Sequence, residues 1–141
     1  MAINTPYVAV DGIVELYDPK GTFQGIVLIE RKNPPHGLAF PGGFVDIGES
    51  CEDALKREMR EEISLEVTIR KLLGVYSDPA RDPRFHAISC VYICTATGEP
   101  KAADDAKKIF IFKPEEIPEE QLVFDHAKIL ANYRKSLIGQ Q

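Results

Sequence analysis

The sequence lacks the features that mark membrane, secreted and nucleic-acid-binding proteins. No apolar run approaches the roughly 18 residues that a membrane span needs, and residues 1–12 contain no basic stretch followed by an apolar one. The 17 basic and 22 acidic residues give a net charge of −5, which disfavours the phosphate contacts that drive sequence-independent nucleic-acid binding. We therefore expect no membrane span, no secretory signal and no nucleic-acid partner.

Cysteine is scarce and is not spaced for cross-linking or metal binding. The three cysteines, Cys51, Cys90 and Cys94, form an odd set without a Cys-x-x-Cys pair. This pattern disfavours a disulfide framework and a zinc site, and it favours the reducing cytoplasm. The 141 residues are enough for one apolar core, so we expect a single domain over residues 1–141.

The hydrophobic pattern predicts many strands and two helices. The apolar run 26–29 indicates a strand buried on both faces, and residues 18–21 have the composition of a hairpin turn. This mixture predicts an α+β fold in which helices cover a mixed sheet. The predicted strands are residues 7–10, 12–16, 25–31, 67–69, 72–76, 86–95 and 109–112.

The two predicted helices differ in how clearly they begin. The first starts at Ser50 and runs to about Ile63, and Ser50 with Asp53 three residues later resembles a capping box. The second runs from about Asp125 to Ser136, with Asp125 as its candidate cap. Every fourth residue of the first helix is apolar, which gives it one face for burial. These residues are Cys51, Leu55, Met59 and Ile63.

The first helix is dense in carboxylates. At about 100° per residue, Glu58, Glu61 and Glu62 fall within about a third of its circumference. Glu62 also lies inside the apolar stripe, where a carboxylate loses hydration. A divalent cation would remove both the mutual repulsion and this cost. The alternative is a solvated face with ordinary ion pairs between residues four apart, such as Glu52 with Lys56.

The loop before this helix favours the cation. Pro41-Gly42-Gly43 lets backbone carbonyls approach a ligand, because glycine has no Cβ. Carbonyl and carboxylate oxygens together suit a hard cation such as Mg²⁺.

Residues 43–65 resemble the Nudix box, in which Gly, Glu, Arg-Glu and Glu-Glu recur in fixed register. One position departs from the pattern, because Ser64 stands where the box usually has glycine. A left-handed residue is favoured just past a helix, so we expect some backbone strain at Ser64. The matching residues are Gly43, Glu49, Arg57, Glu58, Met59, Glu61, Glu62 and Leu65.

The resemblance implies a Nudix hydrolase with an α/β/α sandwich fold. Such enzymes cleave a nucleoside diphosphate linked to another moiety, with Mg²⁺ or Mn²⁺ as cofactor. Arg57 would then orient carboxylates, and Glu49 would be a structural or outer metal contact. The metal ligands implied are Glu58, Glu61, Glu62 and the backbone carbonyl of Gly43.

Residues 76–86 carry the information about substrate. Arg81 and Arg84 are candidate phosphate or ribose contacts, and Phe85 is a candidate to stack on a base. The alternative is a rigid surface loop with Arg–Asp pairs. With residues 29–50, the stretch resembles the ADP-ribose pyrophosphatase branch, which tends to carry a proline where Pro79 lies. By the same resemblance, Arg31 is a candidate phosphate contact.

The branch often places its catalytic base on a late loop, here residues 98–108. The candidates are Glu99, Asp104 and Asp105, with Glu58 as the rival base. A solvated acidic loop is the alternative interpretation.

The expected reaction is Mg²⁺-dependent hydrolysis of ADP-ribose, a small-molecule nucleotide, to AMP and ribose 5-phosphate. Two alternatives are a nucleoside-triphosphate pyrophosphohydrolase that cleans the nucleotide pool and a Nudix-fold sensor that binds a nucleotide without cleaving it. The resemblance also implies a homodimer.

Overall fold

A computed structural model describes residues 2–103 and 108–139. The described residues form seven strands and two α-helices, with two short 3₁₀ turns before the second helix. The strands are β1 (Tyr7–Tyr17), β2 (Phe23–Glu30), β3 (Leu38–Ala39), β4 (Gly42–Phe44), β5 (Thr68–Tyr76), β6 (Ala87–Thr97) and β7 (Ile109–Phe112), and the helices are α1 (Cys51–Ile63) and α2 (His126–Ile138).

The strands form one mixed sheet in the order β3-β2-β1-β6-β5, with β4 paired to β1 and β7 paired to β2. Strands β1 and β6 run parallel over their whole length, from Tyr7 opposite Ala87 to Tyr17 opposite Thr97. The remaining pairs of strands are antiparallel. The α+β prediction with a mixed sheet is therefore confirmed.

The apolar core lies on both faces of the sheet. On β2, Val27 and Ile29 join the cluster under α1, whereas Ile26 and Leu28 join the cluster under α2. This alternation follows the two-residue period of a strand, and all four residues are buried. The run 26–29 is thus buried on both faces as predicted, and the sheet lies between the two helices.

Two pairs of predicted strands are single strands, which corrects the sequence interpretation. Residues 7–10 and 12–16 belong to β1, where Gly12 lets α1 approach so closely that a Cβ would lie 3.2 Å from the sulfur of Met59. Residues 68–76 form β5, which is interrupted only by irregular register. A polar residue or a glycine inside a strand has the local composition of a turn, so composition alone divides one strand into two.

The helix caps agree with expectation at α1 and differ at α2. The backbone N–H of Asp53 donates to the Ser50 hydroxyl over 3.1 Å, and Ser64 ends α1 in the left-handed conformation with φ of 58°. Asp125 precedes α2 but makes no side-chain cap, because its carboxylate binds Arg81 instead. No helix among the described residues is both long and apolar enough to cross a membrane.

Candidate active site

A cavity of about 330 Å³ lies where β1, β2, β4 and α1 meet the loop after β5 and the segment before α2. Its lining carries charges of both signs and includes aromatic rings. Side chains that line it include Asp11, Arg31, Phe40, Glu58, Glu62, Arg81, Arg84, Phe124 and His126, together with the backbone of Gly42 and Gly43.

The acidic wall is built by α1 against the glycine pair of β4. The Glu58 carboxylate lies so close to Gly43 that a Cβ on residue 43 would be 2.4 Å from the Glu58 Cδ. The backbone N–H of Gly42 donates to Oε2 of Glu62 over 3.4 Å. The position of Glu58 therefore depends on the absence of a side chain at Gly43, whereas a Cβ on Gly42 would collide with the carbonyl of Val10 at 2.1 Å and with Oδ1 of Asp11 at 2.4 Å.

Arg57 connects the carboxylates of this wall. Its Nε and Nη2 donate to both oxygens of Glu49 over 2.7 and 2.9 Å. Its Nη1 donates to Glu58 over 2.8 Å and to Glu61 over 3.2 Å, and its Nη2 also donates to the carbonyl of Phe44 over 3.0 Å. A guanidinium with five donors can hold several acceptors at once, which an ammonium cannot do in the same geometry.

The electrostatics of this wall differ from one carboxylate to the next. Burial raises the pKa of Glu58, whose side chain is only 13% exposed, and the hydrogen bond from Arg57 opposes that rise. The pKa of Glu49 is lowered to about 2, chiefly by its hydrogen bonds from Arg57. Glu49 is thus held ionised, whereas Glu58 binds a proton more readily than an ordinary glutamate.

Oxygen ligands for a cation are present, but they do not converge on one point. Glu58 and Glu62 line the cavity, whereas Glu61 is 59% exposed and paired with Arg57. Within residues 2–103 and 108–139, no three His, Cys, Asp or Glu side chains are close enough to hold one ion. The donor set of carboxylate and carbonyl oxygens nevertheless fits a hard divalent cation, and the space left by Gly43 brings the Glu58 carboxylate to the backbone.

The basic wall is formed by Arg31 and Arg84 around one aromatic ring. Their guanidinium carbons lie 4.9 and 5.3 Å from the centroid of the Phe124 ring. Arg31 is also fixed by donating to the carbonyl of Pro35 over 2.9 Å, and Arg84 by its ion pair with Asp82 at 2.9 Å. Burial lowers the pKa of Arg31, and the neighbouring charge of Arg84 lowers it further. Two cations held together in this way favour a polyanionic ligand.

Two other residues predicted for substrate binding have different positions. Arg81 lines the cavity but is buried and paired with Asp125 through two hydrogen bonds of 3.0 and 2.8 Å. Phe85 is not among the residues that line the cavity, since its ring packs on Tyr7 and Phe44 with centroids 4.8 and 5.9 Å away. Phe124, which is partly buried, lines the cavity instead.

The loop candidates for the catalytic base are not beside the cavity in the part of the chain that the structure describes. Glu99 is exposed and lines a separate groove with Asp18 and Gln24. Asp104 and Asp105 lie outside the described residues. Glu58 is therefore the one candidate base that the described residues place at the cavity.

Asp11 and His126 line the cavity but were not predicted as site residues. Asp11 is one of two carboxylates, with Glu15, in the largely apolar strand β1, and His126 begins α2 directly after Asp125. A carboxylate inside a buried strand is the signal that could have pointed to Asp11. His126 is a buried residue, 1% exposed.

Comparison with known proteins agrees with this geometry. A model of the NUDIX domain matches residues 6–133. An ADP-ribose pyrophosphatase from Methanocaldococcus jannaschii is 49% identical over 133 residues, which cover 92% of this chain and 74% of that protein. A putative 8-oxo-dGTP diphosphatase from Bacillus subtilis is 36% identical over 81 residues, which cover 57% of this chain and 51% of that protein.

A solved structure extends the similarity to the fold. The bifunctional NMN adenylyltransferase/ADP ribose pyrophosphatase from Francisella tularensis, complexed with AMP and a Mn ion, matches with a TM-score of 0.79 and 25% identity. The match covers 96% of this chain but 43% of that one, so the chain spans less than half of this bifunctional protein. The chain belongs to the Nudix hydrolase family, which confirms the resemblance of residues 43–65.

Proposed function

We propose that the protein hydrolyses ADP-ribose to AMP and ribose 5-phosphate with Mg²⁺ or Mn²⁺. The observation that carries this proposal is that two carboxylates, Glu58 and Glu62, and two guanidiniums, Arg31 and Arg84, line one cavity. The 49% identity to an ADP-ribose pyrophosphatase over most of the chain supports the choice of substrate.

The basic wall and the acidic wall have different roles in this proposal. Arg31 and Arg84 bind the diphosphate, because guanidiniums pair with phosphate oxygens in planar, two-point geometry. Glu58, Glu61, Glu62 and the carbonyl of Gly43 are the residues that would hold the cation. When bound, a divalent ion neutralises the diphosphate and acidifies a water molecule. Arg57 keeps the carboxylates oriented.

In the reaction, the oxygen of a water molecule bonds to one phosphorus atom and the bridging P–O bond breaks. The attacking water must lose a proton, and Glu58 is favoured as its acceptor because it lines the cavity. Glu99, Asp104 and Asp105 are the alternative bases. Wild-type kcat in Glu99→Gln, Asp104→Asn and Asp105→Asn would exclude these three bases, whereas a fall in kcat of Glu58→Gln is expected from its contact with the cation as well.

A second candidate function is hydrolysis of nucleoside triphosphates to monophosphate and pyrophosphate. It is favoured by the 36% identity to a putative 8-oxo-dGTP diphosphatase, which extends over only 57% of the chain. A third possibility, a sensor without turnover, is opposed by the presence of Glu58, Glu61 and Glu62 in the box.

A product assay tests the proposal. The protein is incubated with ADP-ribose, dGTP or 8-oxo-dGTP and Mg²⁺ or Mn²⁺, and the products are identified. AMP from ADP-ribose supports the proposed function, pyrophosphate from a triphosphate supports the second candidate, and binding without turnover supports the sensor. Glu62→Gln should lower kcat by orders of magnitude with an unchanged fold, whereas Glu66→Gln, an exposed glutamate just past α1, should not.

We also infer that the protein acts in the cytoplasm as a homodimer, with a nucleotide as its ligand and without a nucleic-acid or membrane partner. The scarce cysteines and the acidic net charge support the compartment and the absence of nucleic acid. Sedimentation equilibrium tests the oligomer, and a mass of one chain across the micromolar range would exclude the dimer.

A further inference from the structure

The floor of the cavity carries a polar cluster that the proposed chemistry does not use. Asp11 of β1 and His126 of α2 both line the cavity, and Ser89 of β6 contacts Asp11. The Ser89 hydroxyl, which is completely buried, donates to Oδ2 of Asp11 over 2.5 Å. The orientation of the Asp11 carboxylate is thereby fixed.

The hydrogen bonding of His126 assigns its tautomer. The backbone N–H of Phe40 can only donate, and it donates to Nδ1 of His126 over 3.1 Å. Nδ1 is therefore unprotonated, and a neutral ring carries its proton on Nε2. Burial lowers the pKa of His126 to about 3, so the ring is neutral near pH 7 and Nε2 is a hydrogen-bond donor.

This donor has no acceptor within hydrogen-bond distance among the residues that the structure describes. Nε2 lies 3.9 Å from Oδ2 of Asp11, which is too far for a direct hydrogen bond. No fully buried side-chain nitrogen or oxygen in residues 2–103 and 108–139 lacks a partner, so Nε2 is open to the cavity. The side chain of His126 is thus only 2% exposed, with an unused donor facing the ligand space.

An oxygen atom about 2.8 Å from both Nε2 and Oδ2 would bridge them, because a separation of 3.9 Å allows both hydrogen bonds from one point. An atom placed there must accept from Nε2–H and donate to the carboxylate, and a hydroxyl does both with a single oxygen. A phosphate oxygen has no proton to donate near pH 7. A nucleobase edge presents its donor and its acceptor on different atoms.

We propose that Asp11 and His126 form a binding site for a ribose hydroxyl of the substrate. The site deepens the proposed function and rests on it, because ADP-ribose offers hydroxyls on two ribose units. Phe40 and Phe124, whose ring centroids lie 5.2 and 5.4 Å from that of His126, hold the imidazole in place. Asp11 and His126 are thus specificity-determining residues, separate from the carboxylates of α1.

The experiment compares ADP-ribose with two analogues that each lack the 2- and 3-hydroxyls of one ribose. Wild-type protein should show a kcat/KM at least about a hundredfold lower for one analogue, because a site built to bind a hydroxyl rejects a ligand that lacks it. Asp11→Asn should lose a similar factor on ADP-ribose and distinguish the three substrates less than fivefold. Asp53→Asn, an exposed aspartate of α1, is the matched control and should behave as wild type.

The outcomes separate this site from the proposed function. Equal kcat/KM values of wild-type protein for all three compounds would overturn the site and indicate a structural water, while leaving ADP-ribose hydrolysis intact. If no compound is cleaved, calorimetry with the same three compounds decides, since discrimination in binding supports the hydroxyl site without the proposed reaction. If Asp11→Asn does not fold, His126→Gln replaces it, and retained discrimination in that variant would contradict the proposal.

Discussion

The carboxylate of Glu58 lies against the backbone of Gly43, with no room for a side chain between them. A Cβ on residue 43 would meet all three atoms of the carboxylate at 2.4 to 2.5 Å, distances that force Glu58 to move. The register of β4 on β1, with Gly43 opposite Val10, fixes the backbone, so Glu58 must be the partner that shifts.

Gly43→Ala therefore should lower kcat for ADP-ribose at least tenfold by displacing Glu58. Gly74→Ala is the matched control, because the atom nearest to its new Cβ would be in the Tyr76 ring at 3.5 Å, an ordinary contact. Steady-state kinetics and circular dichroism of both variants check the prediction. Wild-type kcat in Gly43→Ala would show that the position of Glu58 is unimportant.

The acidic wall was largely predictable from the sequence, because its members lie close together along the chain. Ser50 caps α1 as expected, and the helical period places Glu58 and Glu62 near one side. The glycine pair and the left-handed Ser64 also follow from local rules. Short-range geometry thus sufficed for this half of the site.

The floor and the basic wall depend on contacts that local patterns do not encode. Asp11 meets Ser89 only because β1 and β6 pair in parallel, and Arg81 meets Asp125 across 44 positions of sequence. The sequence assigned Arg81 to substrate and Asp125 to a helix cap, whereas the structure pairs them with each other. Which residues pair with Arg81 and Asp125 is decided by the topology of the fold and by burial rather than by local propensity.

Arg57 provides the second prediction, because it contacts Glu49, Glu58 and Glu61 at once. In Arg57→Lys a single ammonium cannot reach the three carboxylates in the same geometry, so we expect kcat to fall at least tenfold and the cation concentration for half-maximal activity to change. Arg60→Lys is the control, since the ion pair that Arg60 makes with the described residues is an exposed one, with Glu66 at 3.4 Å. Titration of activity with Mg²⁺ measures both effects, and similar curves for the two variants would contradict the assigned orienting role.

Ser64 provides the third prediction through its backbone conformation. Its φ of 58° and ψ of 36° lie in the left-handed region, which costs a non-glycine residue about 1 kcal/mol. Its hydroxyl donates to the carbonyl of Lys101 over 3.1 Å, and this bond is lost equally in Ser64→Ala and Ser64→Gly. Comparing these two variants isolates the conformational strain.

We expect Ser64→Gly to be more stable than Ser64→Ala by about 1 kcal/mol in urea unfolding, because only glycine relieves the strain. Both variants should retain wild-type KM, since Ser64 lies outside the cavity. If the alanine variant were the more stable one, the left-handed conformation of residue 64 would not be strained in a non-glycine residue.

His126 provides the last prediction, which concerns stability against acid. Burial lowers its pKa from 6.5 to about 3 in the folded protein. Between these values the unfolded chain binds a proton that the folded protein does not bind, so stability falls as pH drops below about 6.5. The loss amounts to about 1.4 kcal/mol per pH unit.

Asp11, the carboxyl that faces His126, acts in the opposite direction. Burial raises its pKa to about 6, so its protonation stabilises the folded state as pH falls through that value. This contribution is present in wild-type protein and in His126→Gln alike. The charges of Arg31, Arg81 and Asp125 also act on His126, and they remain in the variant. The difference between the two proteins therefore reports mainly on the imidazole.

Relative to wild type, His126→Gln should gain about 2 kcal/mol of unfolding free energy when the pH is lowered from 7.5 to 5.0. His86→Gln is the control, because His86 is only partly buried and binds the carbonyl of Ser77 at the surface. Urea unfolding at both pH values provides the measurement. A difference between His126→Gln and wild type that stays constant with pH would mean that the imidazole protonates in the folded protein as readily as in the unfolded chain. In that case His126 would carry a second proton near pH 6, and its Nε2 could not be assigned as the neutral donor that the hydroxyl site requires.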